Sequence, residues 1–360
     1  MPINFPPTPA VNDVYTFGSR SWVWNGITWK AQRNIFTVAG ENTQIQYNNG
    51  GVLGASSNLT YNLSTNTLAL SGTDPTIDFV DVSTDPAASL ADNLTIYSKS
   101  LAGKSVFKTI DEYGNATPLQ SSLFQNKVGI WTPPGNATTT PGVFGFNAPT
   151  ALGTATVRTP AATNVFTRAQ RLGYNSSGTA GNSGGHYQTL ANYTIGTGTL
   201  GVGGFFYVCR FGAADAVTQA ITFVGLSSSV ASPSATTSPA TFTNAIGIGA
   251  ATGDTNLSIY YGGSAAQTPI ALGTSFPKST NSTDYYELVL FSPSTLNDSV
   301  GYKVTNISSG AVATGTLTGT AGTAIPASTT FLAHRAYRSN NATASAVLID
   351  INSVYIETEN

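Results

Sequence analysis

Side-chain chemistry needs a nucleophile, a base or a set of metal ligands, and this chain holds few of each. It has one cysteine, Cys209, and two histidines, His186 and His334. One thiol and two imidazoles fall short of a four-ligand zinc site, and a single cysteine forms no intrachain disulfide. Cys209 lies in the apolar run Phe205-Phe206-Tyr207-Val208-Cys209-Arg210-Phe211, which suits a small buried side chain better than a reactive thiol. His186 stands in Gly184-Gly185-His186-Tyr187 and His334 in Ala333-His334-Arg335, and neither adjoins a G-x-S-x-G turn that would present a serine. Both are expected to be polar loop or interface residues. No metal and no cofactor is expected, and the chain reads as a non-enzyme.

Carboxylates give the same answer. Glycan cleavage needs two of them held roughly 5 to 10 Å apart. The clustered acids Asp78, Asp81, Asp85, Asp111 and Glu112 sit where large apolar residues are too sparse to build a cleft. Asp74, Asp78 and Asp81 lack the spacing and closing glutamate of an EF-hand. They are expected to be solvated charges that block edge-to-edge strand pairing. Gly201-Val202-Gly203-Gly204 lacks the Lys-Ser/Thr of a phosphate loop and leads into a strand.

Glycan binding is the chemistry that the residue types do favour. Sugars have apolar faces ringed by hydroxyls, so their sites pair aromatic rings with Asn, Asp or Arg. Such mixtures occur at Tyr174-Asn175-Ser176, at His186-Tyr187-Gln188 and at His334-Arg335-Ala336-Tyr337-Arg338-Ser339-Asn340-Asn341. Arg335, Tyr337, Arg338, Asn340, Tyr174 and Tyr187 are the candidate receptor contacts, since guanidinium forks suit phosphates and acidic sugars. A contact between subunits explains the same cluster equally well.

The elements that must position these residues are strands. Charged residues make up 9% of the 360, against about 25% in an ordinary domain, with 15 basic and 17 acidic groups. That balance excludes a phosphate-gripping surface, so no nucleic-acid partner is expected. No apolar run approaches the roughly 20 residues of a membrane span, and no secretory leader is visible at the start. Thr, Ser, Asn and Gly alternate with β-branched and aromatic residues, as in Leu59-Thr60-Tyr61-Asn62-Leu63 and Asn256-Leu257-Ser258-Ile259-Tyr260. Turn residues such as Asn49-Gly50-Gly51 punctuate these runs. Thr163 to Leu172 is the best helix candidate.

Three regimes divide the chain. Residues 1–38 form a small aromatic β module, with Asn25-Gly26 predicting a two-residue hairpin between aromatic runs. Residues 39–141 read as short β-hairpins with little core of their own, a slender stalk whose chains bury one another's faces. Residues 142–360 carry longer strands, enough for one two-sheet antiparallel sandwich. Val347 to Ile356 is the candidate closing strand. Trp22, Trp24 and Trp29 fit either a packing core at the docking end or a small sugar-binding face, and Trp131 fits a seal between stalk and tip.

Several segments resemble known proteins. Asn4-Phe5-Pro6-Pro7-Thr8-Pro9, Tyr15-Thr16-Phe17 and the Trp22-x-Trp24-Asn25-Gly26-x-x-Trp29 block look like the opening of bacteriophage tail-fibre and baseplate proteins. The same block also resembles small chitin-binding modules. Asn42 to Gly54 is similar to a segment of phage fibre stalks. Leu94 to Lys99, Ala102-Gly103-Lys104, Thr117 to Gln120 and Asn126 to Asn136 resemble modules that join stalks to globular tips. The resemblance implies a homotrimeric fibre in the virion, made in the host cytoplasm. Its N-terminal end, with Trp22, Trp24 and Trp29, would dock on phage baseplate or tail proteins. Its C-terminal domain would face a host cell-surface glycan or lipopolysaccharide and resemble a concanavalin-like jelly roll. A baseplate or head decoration that binds only virion proteins, or a depolymerase spike, are the alternatives.

Overall fold

The computed structural model describes residues 3–18, 20–32, 39–112, 114, 116–118, 127–133 and 145–358. The chain divides into two compact units, Met1–Phe79 and Val80–Asn360. The boundaries expected near residues 38 and 141 touch residues outside the described set.

The first unit is made of small sheets. β1 (Val14–Phe17), β2 (Arg20–Trp24) and β3 (Trp29–Gln32) form an antiparallel meander. Trp24 pairs with Trp29, so the Asn25-Gly26 turn has four residues and not the expected two. The reason is local: Asn25 Oδ1 accepts from the N–H groups of Ile27 and Thr28 at 3.0 and 2.7 Å, which favours the wider loop. Phe5 stacks on Trp29 with ring centroids 5.2 Å apart and meets Trp22 edge-on at 5.4 Å; Trp24 lies 5.6 Å from Trp29. β4 (Tyr47–Asn49) and β5 (Val52–Gly54) make one hairpin, β6 (Leu59–Asn62) and β7 (Thr67–Leu70) another. Gly50 and Gly51 close the former with φ of 62° and 95°, the left-handed pair that a two-residue turn demands.

The second unit opens with β8 (Asp81–Val82), β9 (Thr95–Leu101), β10 (Lys104–Ile110) and β11 (Ala116–Pro118), in the order β11-β10-β9-β8. Its buried apolar residues are Tyr97, Val106 and Ile110. A two-sheet antiparallel sandwich follows. One sheet runs β14 (Thr154–Arg158), β15 (Arg171–Asn175), β26 (Leu348–Thr358), β17 (Phe205–Ala213), β22 (Tyr286–Ser292), β23 (Ser299–Asn306), β24 (Ala311–Thr318). β12 (Lys127–Trp131) also pairs with β26. The other runs β13 (Thr150–Leu152), β16 (Ser183–Tyr187), β25 (Ala333–Ser339), β18 (Ile221–Ser227), β19 (Ala245–Ala250), β20 (Ser258–Gly262), β21 (Ile270–Ala271).

Alternation along the strands builds the core between these sheets. Tyr207, Cys209, Leu288, Leu290, Val354 and Ile356 on one side meet Val224, Leu226, Ile246, Ile248 and Ala336 on the other. The candidate closing strand over Val347 to Ile356 is β26, which runs between β15 and β17. The helix expected over Thr163 to Leu172 shrinks to one turn, α1 (Val165–Arg168), with Asn164 and Thr167 capping each other. Arg171 leaves it to reach Asp350 at 2.8 Å and begins β15.

Candidate functional site

The charged cluster singled out in the sequence lies inside the molecule. Residues 333–339 form β25, an interior strand of the seven-stranded sheet and not a loop, with β16 and β18 on either side. Arg338 is fully buried and forks onto Asp215 through Nε and Nη2, both 2.8 Å from its oxygens, while Nη1 donates to Thr222 Oγ1 at 2.8 Å. Asn340 donates to the carbonyls of Thr179 and Ser345. Arg335 donates to the carbonyls of Ser229 and Ala231. Tyr337 packs with Phe223 and Tyr260. Arg335 and Ser339 both donate to carbonyls within 228–242, and that segment covers this face of the sheet. Tyr174 is buried, and Tyr187 is 9% exposed. A charge this rare is drawn inside by a partner far along the chain, which no local pattern reveals.

The histidines also differ from expectation, because both are fully buried in the core. They form a chain of hydrogen bonds that crosses between the sheets. Tyr174 Oη lies 2.9 Å from His186 Nδ1, the two Nε2 atoms lie 2.9 Å apart, and His334 Nδ1 lies 2.9 Å from Tyr207 Oη. One Nε2 donates and the other accepts, and since burial disfavours the charged form of both rings, the two neutral imidazoles carry complementary tautomers. Trp131 meets His186 edge-on at 4.8 Å. Burial pushes the pKa of His186 down to about 3 and that of His334 well below its usual value, with His186 and Arg335 adding to the latter. Burial also pushes the Cys209 thiol up to about 12. Sealed from solvent and neutral, these groups tie the sheets together and offer no general base to a solute.

Of the acids of the first third, Asp74 and Asp78 are exposed as expected, whereas Asp81 and Asp85 are held by partners. Asp81 accepts from Ser98 and Ser105 hydroxyls at 2.7 and 2.6 Å. Asp85 accepts from Tyr97, Lys99 and Lys108 at 2.7, 2.9 and 2.7 Å. Burial raises the Asp85 carboxyl, but the hydrogen bonds from Lys108, Lys99 and Tyr97 outweigh it and hold it below the carboxylate range. Among the described residues, no three His, Cys, Asp or Glu side chains are placed to hold an ion.

What the surface does offer lies on the outer face of the eight-stranded sheet. A depression of about 520 Å³ is lined by Arg168, Arg210, Tyr285, Glu287 and Asn352, with the half-exposed Val165 at its edge. Arg210 and Glu287 face each other across β17 and β22, and Arg210 pairs with Glu287 Oε2 at 2.7 Å. Guanidinium, carboxylate and amide together can donate to and accept from vicinal hydroxyls, beside an apolar wall. The signal for Arg210 and Glu287 was one charge at an outward position of an otherwise apolar strand. Their pairing needs a strand register that separate segments do not show.

No protein-family model matches the chain, and no curated protein does. Several solved structures are similar to about two thirds of the chain. Peanut lectin with a 9-mer peptide is 10% identical, covering 65% of this chain and 97% of its own, at a TM-score of 0.40. Lectin UEA-II complexed with galactose is 13% identical, with 66% and 99% covered and a TM-score of 0.40. The CBM2 module of an evolved Dit from Lactobacillus casei BL23 phage J-1 is 13% identical, with 65% and 96% covered and a TM-score of 0.35.

Proposed function

We propose that this chain is a phage virion attachment protein that assembles as a homotrimer and recognises a host cell-surface glycan through its sandwich. The observation that carries this reading is where apolar side chains lie. Among the described residues, Tyr97, Val106 and Ile110 are the buried hydrophobics before Trp131. Over the same stretch Leu63, Ile77, Val80, Leu90 and Leu94 are between 61% and 87% exposed. Covering that surface with identical chains recovers about 25 cal/mol per Å², and the motifs shared with fibre stalks point the same way. The clustering of Phe5, Trp22, Trp24 and Trp29 supports a packing core at the docking end.

The depression at Arg168, Arg210 and Glu287 supports glycan contact. Three weak sites on one assembly raise effective concentration without any new contact. The test is purified full-length protein on host cells. Saturable binding is expected with no shortening of the glycan, weakened about tenfold or more in the doubly substituted Arg168→Gln, Arg210→Gln chain. Absence of binding would favour a part that touches virion proteins alone, and released oligosaccharide would make the protein an enzyme.

A further inference from the structure

Lys303 stands on the outer face of β23, flanked by Val289 on β22 and Thr314 on β24. It is half-buried, and among the described residues it has neither an ion-pair nor a hydrogen-bond partner. The lysines around it are engaged. Lys99 and Lys108 both bind Asp85, and Lys104 binds Glu357 while lying 4.5 Å over the Phe206 ring. Glu287, the other acid that Lys303 senses, is held by Arg210. Three ammonium groups, Lys99, Lys108 and Lys303, thus gather around one carboxylate, Asp85.

Lys99, Lys303 and Asp85 line a groove of about 600 Å³ between the outer face of β23 and β24 and the β9–β10 hairpin. Ser100, Thr314 and Thr316 line it beside Lys303 and Lys99. The groove exists because the hairpin tip docks on the sheet. A side chain at Gly301 would meet Ala102 O at 1.9 Å, so the two backbones touch there. A half-buried ammonium without a partner has lost hydration and gained nothing in return. The positive surplus and the row of hydroxyls favour an anion that also carries hydroxyl groups.

We propose that this groove binds a saccharide bearing an oxyanion, a uronate carboxylate or a sugar phosphate, with Lys303 as the contact to the anion. Ser100, Thr314 and Thr316 meet the sugar hydroxyls. Burial, Lys99 and Lys108 lower the pKa of Lys303 against the pull of Glu287 and Asp85, so a bound anion relieves a cost already present. The groove shares no lining residue with the depression at Arg210. Its occupancy therefore stands or falls separately from the reading above.

The test is calorimetric titration of the full chain, at low salt because screening weakens such contacts. The probes are hexagalacturonate, glucose 6-phosphate and maltohexaose. At least one anionic probe is expected to bind where maltohexaose does not. Binding to hexagalacturonate alone assigns the carboxylate, and binding to glucose 6-phosphate assigns the phosphate. Lys303→Met is expected to weaken the bound anion about tenfold or more, and Lys303→Arg to retain most of the affinity. Anionic probes that bind no better than maltohexaose, or that bind Lys303→Met as well as the native chain, overturn the proposal. The first result also covers a groove filled by a neighbouring copy. Failure of cell attachment with the groove still binding anions would count against the attachment role alone.

Discussion

His186 and His334 set how the molecule meets acid. Folded, both are buried and neutral, with pKa values pushed down, that of His186 to about 3. Unfolded, each titrates near 6.5. A base whose folded pKa is depressed contributes stability that is fully present above the unfolded pKa. That stability is lost as pH falls, because only the unfolded chain takes up the proton. Between pH 7 and 5 the ordinary carboxylates are still ionised, so the histidines dominate the slope there. Denaturant unfolding is expected to show stability falling on the order of 1 kcal/mol per pH unit per histidine below pH 6.5. A flat profile from pH 7 to 5 would show that the pair is not buried neutral. The residue types of this cluster stood out in the sequence, but their location did not. Arg338 binds Asp215 from 123 positions away, and the two histidines meet across 148. Such pairings are products of strand order, which neighbouring residues do not encode.

At the scale of elements, strands and turns were legible because their signals are local. Alternation marked β17 and β26, and Gly50-Gly51 supplied the left-handed backbone that its hairpin needs. The helix near Thr163 was overestimated because its β-branched Val165 and Thr167 and the pull of Asp350 on Arg171 end it after one turn. What the sequence concealed was docking between elements. Ala102 and Gly103 form a left-handed turn whose backbone rests on Gly301, and Lys104 anchors it to Glu357. Gly301→Val is expected to lift the hairpin tip and to cost about 1–3 kcal/mol. Hydrogen exchange at the amides of Leu101 to Lys104 should then quicken while β17 and β26 stay protected. Unchanged exchange at the tip would mean that the contact holds nothing in place.

For the whole molecule, composition did more than motif. A charge content of 9% spoke against a phosphate-gripping surface, and the sparse large hydrophobics of the first third agree with the few buried apolar residues among those described there. The sandwich was legible because long alternating strands can bury one face only against another sheet. Self-assembly of the first third remains an inference from exposed Leu, Ile and Val, and it is the premise on which multivalent attachment rests.

Sedimentation equilibrium of the full-length chain tests that premise most directly. A mass of about three times 37.2 kDa that holds on dilution is the result this account predicts. A species that stays at 37.2 kDa across the concentration range would contradict it.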